Sequence, residues 1–350
     1  MHGWLILDKP HGLGSTQAVS AVKRALRIQR EATGGAGKWK VGHGGTLDPL
    51  ATGVLPIAIG EATKLAGRML DSDKIYDFAV TFGVQTDTLD LEGAVIATSD
   101  VRPTWADVEA VLPRFTGPIE QAPPAYSAIL IDGRRAYDLA RKGEEVEMKL
   151  RSVTIYGLHI SSLQGAEDSA ACPQGGLAQL GEGEGAPPPS PTPARQHAAK
   201  PSHPLPRGER ISAITLTAHV SKGTYIRSLA RDIALALGTV GHVTMLRRVK
   251  AGPFTLESAI SLDKLDEAAR GGTIGGLLLP LTAGLDDIPA LPVSPDQALA
   301  LRQGKVLSGS DTATGLHLAF DGSMPVALVE AQDGEIRVVR GFNLMSREDD

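Results

Sequence analysis

The sequence predicts an α+β protein with one large domain and a small β-rich module at its end. Three observations carry that prediction. Alternating apolar residues, such as Tyr76, Phe78, Val80 and Phe82, mark strands with one buried face. Stripes at helical spacing, such as Ile226, Leu229, Ile233 and Leu237, fall between the strands. Near residue 290 the chain restarts with a newly capped helix and three strand-like runs joined by Asp-Gly turns. A length of 350 residues suits that division, and a hydrophobic content of 42% is enough for a proper core.

In chain order, Trp4 to Lys9 is a short apolar strand stopped by Pro10. Ser15 or Thr16 is placed to cap a helix whose Val19, Val22 and Leu26 share a face. A glycine-rich loop follows, then an apolar run through Val54, Leu55, Ile57 and Ile59. Glu61 to Leu70 reads as a helix and Ile75 to Val84 as a strand. Thr104 starts a helix, with Asp107 completing a capping box. Gln121 to Ala128 is too proline-rich for a helix; a short one follows and ends near Gly143. Val153 to Ile160 and Ile211 to Val220 are strands. Between them, residues 161–210 hold 9 Pro and 7 Gly and no aromatics, too little apolar surface to offset chain entropy. A disordered insertion is expected there, in a hairpin whose strands can still pair, because closure entropy grows slowly with loop length. Arg227 falls in the first turn of the helix that Gly238 ends. Ser294, Pro295 and Gln297 open another helix, ending at Gly304. Leu316–Phe320, Val326–Val329 and Ile336–Phe342 are the last strands, with turns at Asp321-Gly322 and Asp333-Gly334.

A formal net charge of −5 argues mildly against a nucleic-acid binder, but the distribution matters more. Lys23, Arg24, Arg27, Arg30, Lys38 and Lys40 face only Glu31 in sequence, and residues 222–250 are similarly basic. Solvated helix faces would also account for such runs. Cys172 is the one cysteine, which excludes an intramolecular disulfide and a multi-cysteine metal site; no H-E-x-x-H spacing occurs. No signal-peptide core or long apolar run is present, so a cytoplasmic, reduced protein with no membrane contact is expected.

One stretch organises the rest. Gly42 to Leu55 presents a single carboxylate, Asp48, between a glycine-rich run and Pro49. An Asp before Pro in such a loop is commonly a turn residue. The full string, however, resembles the active-site motif G-H-x-G-T-L-D-P-x-A-x-G-x-L of the TruB-type tRNA pseudouridine synthases. Further segments resemble that family: Lys9, Pro10, Gly12 and Ser15 near the start; Leu70-Asp71-Ser72-Asp73-Lys74 before Tyr76; Thr86 to Asp90; Gln121 to Gly143; Ser221 to Arg227; and Gly241 to Arg248.

The resemblance implies a pseudouridine-synthase catalytic domain over 1–285, with a mixed, mainly antiparallel sheet flanked by helices and loops. It also implies an RNA-gripping thumb loop at 120–150 and a PUA-like RNA-binding domain at 290–345. The implied reaction isomerises uridine 55 in the T-loop of tRNA to pseudouridine after flipping the base out. Asp48 would be the nucleophile, Arg227 its charge partner and Tyr76 the stacking residue. His43 would fill the gap left by the flipped base. Gly45, Lys9, Asp90, Tyr225, Leu246 and Arg248 would meet the substrate. Lys9 reads equally well as a plain surface lysine, and Asp87 and Asp90 as turn caps. In a closed pocket, desolvation would raise the Asp48 pKa, and a guanidinium beside it would oppose that. Isomerisation gains and loses no electrons, so no cofactor and no metal is expected; neither a P-loop nor a dinucleotide fingerprint is present. The implied partner is the tRNA T-arm, met by a monomer with no obligatory protein partner. A tRNA-binding folding helper and an Asp-dependent nucleoside hydrolase are the competing readings. The family pattern has no counterpart of the 161–210 insertion.

Overall fold

The computed structural model describes residues 1–35, 37–127, 129–131, 133–144, 148–161, 208–309 and 311–344. Strand β1 (Gly3–Lys9) is buried along nearly its whole length, as its apolar run from Trp4 to Leu7, covered on both faces, requires. Helix α1 (Ser15–Thr33) buries the predicted stripe of Val19, Val22 and Leu26. Its cap differs from the expectation. Gly14 is the N-cap, with its amide donating to Gln17 Oε1 at 2.8 Å. Ser15 is the first helical residue, and its hydroxyl accepts from Leu47 N at 2.8 Å and donates to Leu47 O at 2.9 Å. The serine read as a cap therefore clamps the loop that carries Asp48.

Strands β2 (Val41–His43) and β3 (Thr52–Ile59) flank that loop. The helix expected over 61–70 occurs in two pitches, a 3-10 turn at Gly60–Leu65 and then α2 (Ala66–Asp71). Strand β4 (Lys74–Phe82) buries Phe78, Val80 and Phe82 as the alternation requires. A hairpin of β5 (Val84–Thr86) and β6 (Val95–Thr98) leads to α3 (Trp105–Val111), which opens with the expected Thr104–Asp107 capping box. Strand β7 (Gly117–Gln121) precedes the proline-rich segment, followed by the two-residue strands β8 (Leu130–Ile131) and β9 (Arg134–Arg135) and the short α4 (Ala136–Ala140). Strands β10 (Arg151–Ile160) and β11 (Ala213–Val220) pair antiparallel. Of the insertion expected over 161–210, residues 162–207 lie outside the described residues. Helix α5 (Ile226–Ala236) ends just before Gly238, whose φ is +72°. Strand β12 (Gly241–Ala251), the short β13 (Phe254–Thr255) and α6 (Leu262–Gly271) complete this part.

These strands form one nine-stranded sheet in the order β1-β3-β12-β4-β11-β10-β7, with β2 also on β3 and β13 on β12. Only β3 and β12 run parallel; the other pairs are antiparallel. The sheet is thus mixed and mainly antiparallel, as expected. Two partners share one edge of β3. β12 pairs at Thr52 and Gly53, whereas β2 pairs at Ile57 to Ile59. The loop bearing Asp48 emerges beside the gap between them. One transverse row then runs Lys9, Gly53, Arg248, Tyr76, Ala218 across five adjacent strands. Residues paired across strands share a face, so residues far apart in sequence are aligned beneath that loop.

Helix α5 packs Ile226, Leu229 and Ile233 on Phe78, Val80 and Leu216. Helices α1 and α6 cover β1 and β3 through a second cluster around Leu5, Leu55 and Ile57. The C-terminal part comprises β14 (Ala290–Pro292), α7 (Pro295–Arg302), β15 (Leu307–Ser308), β16 (Gly315–Asp321), β17 (Met324–Gln332) and β18 (Glu335–Gly341). They form a five-stranded sheet in the order β14-β16-β17-β18-β15. The Ser294–Gln297 capping box is present, and Asp333 (φ +53°) and Gly334 (φ +75°) make the tight turn that Asp-Gly allows. Ala319, Val326 and Val329 pack with Ala298 and Leu301 of α7. Leu318, Leu328 and Phe342 instead join a cluster with Trp4, Ile6 and Leu281, so the two sheets share a core. Among the described residues no helix is long and apolar enough to cross a membrane.

Candidate active site

The backbone around Asp48 is held at almost every residue. Gly44 N donates to Pro56 O at 2.8 Å. Arg248, only 1% exposed, fills the gap between β2 and β12. Its guanidinium donates to Val54 O at 2.8 Å, Gly45 O at 3.1 Å and Thr46 O at 3.4 Å. Gly45 adopts φ +146° and Gly53 φ +98°; a Cβ on Gly53 would stand 2.2 Å from Arg248 O, so only glycine fits that crossing. Leu47 is held by Ser15, and Pro49 O accepts from Gly12 N at 2.9 Å and from Lys9 Nζ at 3.2 Å.

This bears on two expectations. Lys9 is fully buried, with its ammonium on the carbonyls of Pro10, Leu13 and Pro49, so it is neither a phosphate contact nor a surface lysine. Burial lowers its pKa to about 8. Arg248 likewise binds the loop backbone through its guanidinium, while also lining the cavity walled by Tyr76 and Leu246.

The Asp48 side chain is the part left open. Its Oδ2 lies 2.9 Å from Arg227 Nη2, and it is 46% exposed, whereas Arg227 is 9% exposed. The dry cavity expected around this carboxylate is therefore not formed in this structure; the charge pair is. Arg227 also donates from Nη1 to Asp90 Oδ2 at 3.1 Å and Thr88 O at 2.9 Å, and from Nη2 to Tyr126 O at 3.0 Å. Asp90 is buried, and its other oxygen accepts from Thr88 Oγ1 at 2.5 Å and Glu92 N at 3.1 Å. Its carboxylate is held by the guanidinium and its own loop. One guanidinium thus bridges a buried, saturated carboxylate and a half-exposed one.

Asp48 and Arg227 stand between two cavities. The larger, about 670 Å³, is also lined by Asp90, Tyr126, Arg135 and Tyr137. The smaller, about 320 Å³, is lined by Gly45, Tyr76, Tyr225 and Leu246. Burial raises the Tyr225 pKa, and its amide donates to Gln121 Oε1 at 2.8 Å. His43 lies outside both cavity walls, half-buried at the end of β2, with Nδ1 buried and without a partner. Burial, then the Arg248 charge, lowers its pKa and keeps the ring neutral at pH 7.

Family models for "TruB family pseudouridylate synthase (N terminal domain)" and "tRNA pseudouridylate synthase B C-terminal domain" match residues 30–173 and 227–286. The tRNA pseudouridine synthase B of Novosphingobium aromaticivorans is 56% identical over 342 residues, covering 98% of this chain and 97% of its own. That of Zymomonas mobilis is 53% identical over 343 residues, with 98% and 96% covered. The chain belongs to the TruB family of pseudouridylate synthases. It is an isomerase by that membership. The TruB chain shares its fold with solved structures at lower identity. A Cbf5-Nop10-Gar1 complex matches with TM-score 0.61 and 23% identity over 94% of this chain and 78% of the other. An H/ACA RNP bound to a substrate RNA containing 2′-deoxyuridine matches with TM-score 0.63 and 21% identity over 99% and 86%.

Sequence reasoning on the TruB chain missed two residues. Tyr126 holds Arg227 through its carbonyl and donates its hydroxyl to Asp87 Oδ2 at 3.1 Å; Ser127, 3% exposed, lines both cavities. Both sit in the proline-rich string, but nothing in a loop sequence says which of its atoms turn inward. The basic 222–250 segment, expected to meet phosphates, is mostly engaged. Arg247 pairs with Asp8 at 2.9 Å, Arg231 with Asp232 at 2.8 Å and Lys222 with Asp71 at 3.1 Å, while Arg227 and Arg248 are buried.

Proposed function

We propose that this enzyme isomerises uridine 55 in the T-loop of tRNA to pseudouridine, with Asp48 as the nucleophile. The observation that carries the proposal is the Asp48–Arg227 pair at 2.9 Å, opening on the cavity lined by Tyr76 and Leu246. Residues 1–285 are the catalytic unit in this reading and 290–345 an RNA-binding tail, with 120–150 closing on the substrate.

A nucleophilic carboxylate must be ionised when it acts. In the free protein water solvates Asp48; once RNA fills the cavity that water leaves, and desolvation pushes toward the neutral acid. Arg227 opposes this, because it cannot deprotonate and is held by Asp90, Thr88 and Tyr126. The target base leaves its stack at a cost of a few kcal/mol. Tyr76 stacks on the uracil, and His43, neutral and slim, takes the vacated place in the RNA. The N1–C1′ bond breaks, the uracil turns, C5 bonds to C1′ and the C5 proton is lost while N1 gains one, so atoms balance without a cofactor. Asp48 attacks C1′ or C6 or assists at C2′. The Tyr76 phenol stands beside the base for the proton step.

The test is pseudouridine formation on tRNA by wild type and Asp48→Asn. A loss on the order of 10⁴-fold in rate is expected for removal of a nucleophile, with tRNA affinity retained. Comparable turnover by the variant would end the assignment, and release of free uracil by wild type would make the enzyme a hydrolase. Arg227→Ala should reduce turnover more than tRNA binding; equal losses in both would contradict its role.

A further inference from the structure

Towards the C-terminal end of α1, a cavity of about 230 Å³ opens between the helix and the chain entering β2. Lys23, Arg27 and Arg30 reach it from the helix, their four- and three-residue spacing setting them on one face. Lys38 and Trp39 close it from the other side, over Leu26. Trp39 packs partly into the core cluster of α1 and lines the cavity with the rest of its surface.

These cations are less committed than those of the other basic segments. Among the described residues, Lys23 and Lys38 have no carboxylate within ion-pairing distance. Arg27 has only Glu31 at 3.9 Å, with both side chains exposed, and Arg30 donates to Gly37 O at 3.2 Å across the cavity mouth. Arg24, by contrast, pairs with Asp266 at 3.4 Å. In a chain of net charge −5, four cations around one indole are a local departure from the mean. A flat aromatic surface rimmed by positive charge matches an unpaired nucleotide, whose base stacks while its flanking phosphates are neutralised.

The position adds to the chemistry. Trp39 lies two residues before β2, and His43 ends that strand, just ahead of the Asp48 loop. Four extended residues span about 13 Å, so RNA entering the catalytic cavity passes within reach. We propose that this cavity is a second RNA-contact site, holding an unpaired nucleotide of the substrate stacked on Trp39, with its phosphates among Lys23, Arg27, Arg30 and Lys38. The inference rests on the RNA substrate proposed above.

Tryptophan emission on titration with transcribed tRNA tests it directly. The chain has three tryptophans; Trp4 is fully buried, and Trp105 is packed at α3. The tRNA is expected to quench emission, and Trp39→Phe, which keeps an aromatic plane, should retain affinity and lose the quench. Lys23→Ala/Lys38→Ala should raise KM, leave kcat at saturating tRNA unchanged, and make the dependence of log affinity on log salt shallower by about 1.4–1.8, the release expected for two phosphate contacts. A quench that persists in Trp39→Phe, or a salt slope unaltered in the double variant, overturns the site. Polyglutamate quenching Trp39 where tRNA does not would assign the cavity to an acidic protein partner and overturn it too. Active Asp48→Asn would defeat the catalytic reading alone, since the Trp39 quench does not depend on turnover.

Discussion

Arg227 binds two carboxylates with different surroundings. Asp90 is 11% exposed at its side chain and Asp48 46%. Removing them should therefore do different things. Asp48→Ala leaves no buried charge alone and should change stability by less than about 0.5 kcal/mol while abolishing turnover. Asp90→Ala strips a buried guanidinium of a partner and should cost about 1–3 kcal/mol in urea unfolding as well as activity. Equal stability losses would contradict the division between them. Lys9 supplies a pH signature. Its folded pKa lies at about 8 against 10.5 unfolded, so between those values the unfolded chain holds a proton that the folded chain has released. Stability gains there as pH rises, and the burial cost stands in full below pH 8. The stability difference between wild type and Lys9→Met should move in favour of wild type from pH 8 to 10; a flat difference would mean an ordinary lysine. Residue types in a string did foretell one contact: Asp48 and Arg227 meet. What a string does not carry is the side of the loop a cation faces, which is why Lys9 reads as a phosphate contact or a surface lysine and instead braces the loop from beneath.

At the level of elements, the site is a loop suspended between two strands of one edge. Its geometry depends on Gly53, where the row from Lys9 to Tyr76 crosses. Gly53→Ala meets Arg248 O at 2.2 Å with φ at +98° and should cost about 1–3 kcal/mol, read as a lowered melting temperature together with lost activity. A variant that keeps full stability would show that the crossing is slack. Local signals served well for elements: the capping boxes at Thr104 and Ser294, the alternation in β4, the stripe on α5 and the Asp-Gly turns all appear where local physics put them. Non-local pairing did not show in the sequence. The parallel contact of β3 with β12 joins residues almost two hundred positions apart, and no periodicity within either strand encodes it. Ser15 illustrates the same limit. Its sequence neighbours made it a cap, yet tertiary contact turned its hydroxyl to Leu47.

Across the whole molecule, the expected division near residue 290 is visible in element order but not in packing. Leu318, Leu328 and Phe342 lie in one cluster with Trp4, Ile6 and Leu281, and each large side chain buried there contributes about 1.5–3 kcal/mol. A chain ending at residue 288 should melt at a lower temperature and expose the surface around Trp4, measured by emission and dye binding. Unchanged melting would mean the two sheets are energetically independent. The same cluster bears on synthesis. The Trp4 indole donates to Leu281 O, 277 residues further along the chain, and its apolar cover also includes Phe342. Strand β1 therefore stays partly uncovered until those downstream residues have been synthesised. Nascent chains stalled before those residues emerge would display that greasy edge to chaperones and proteases.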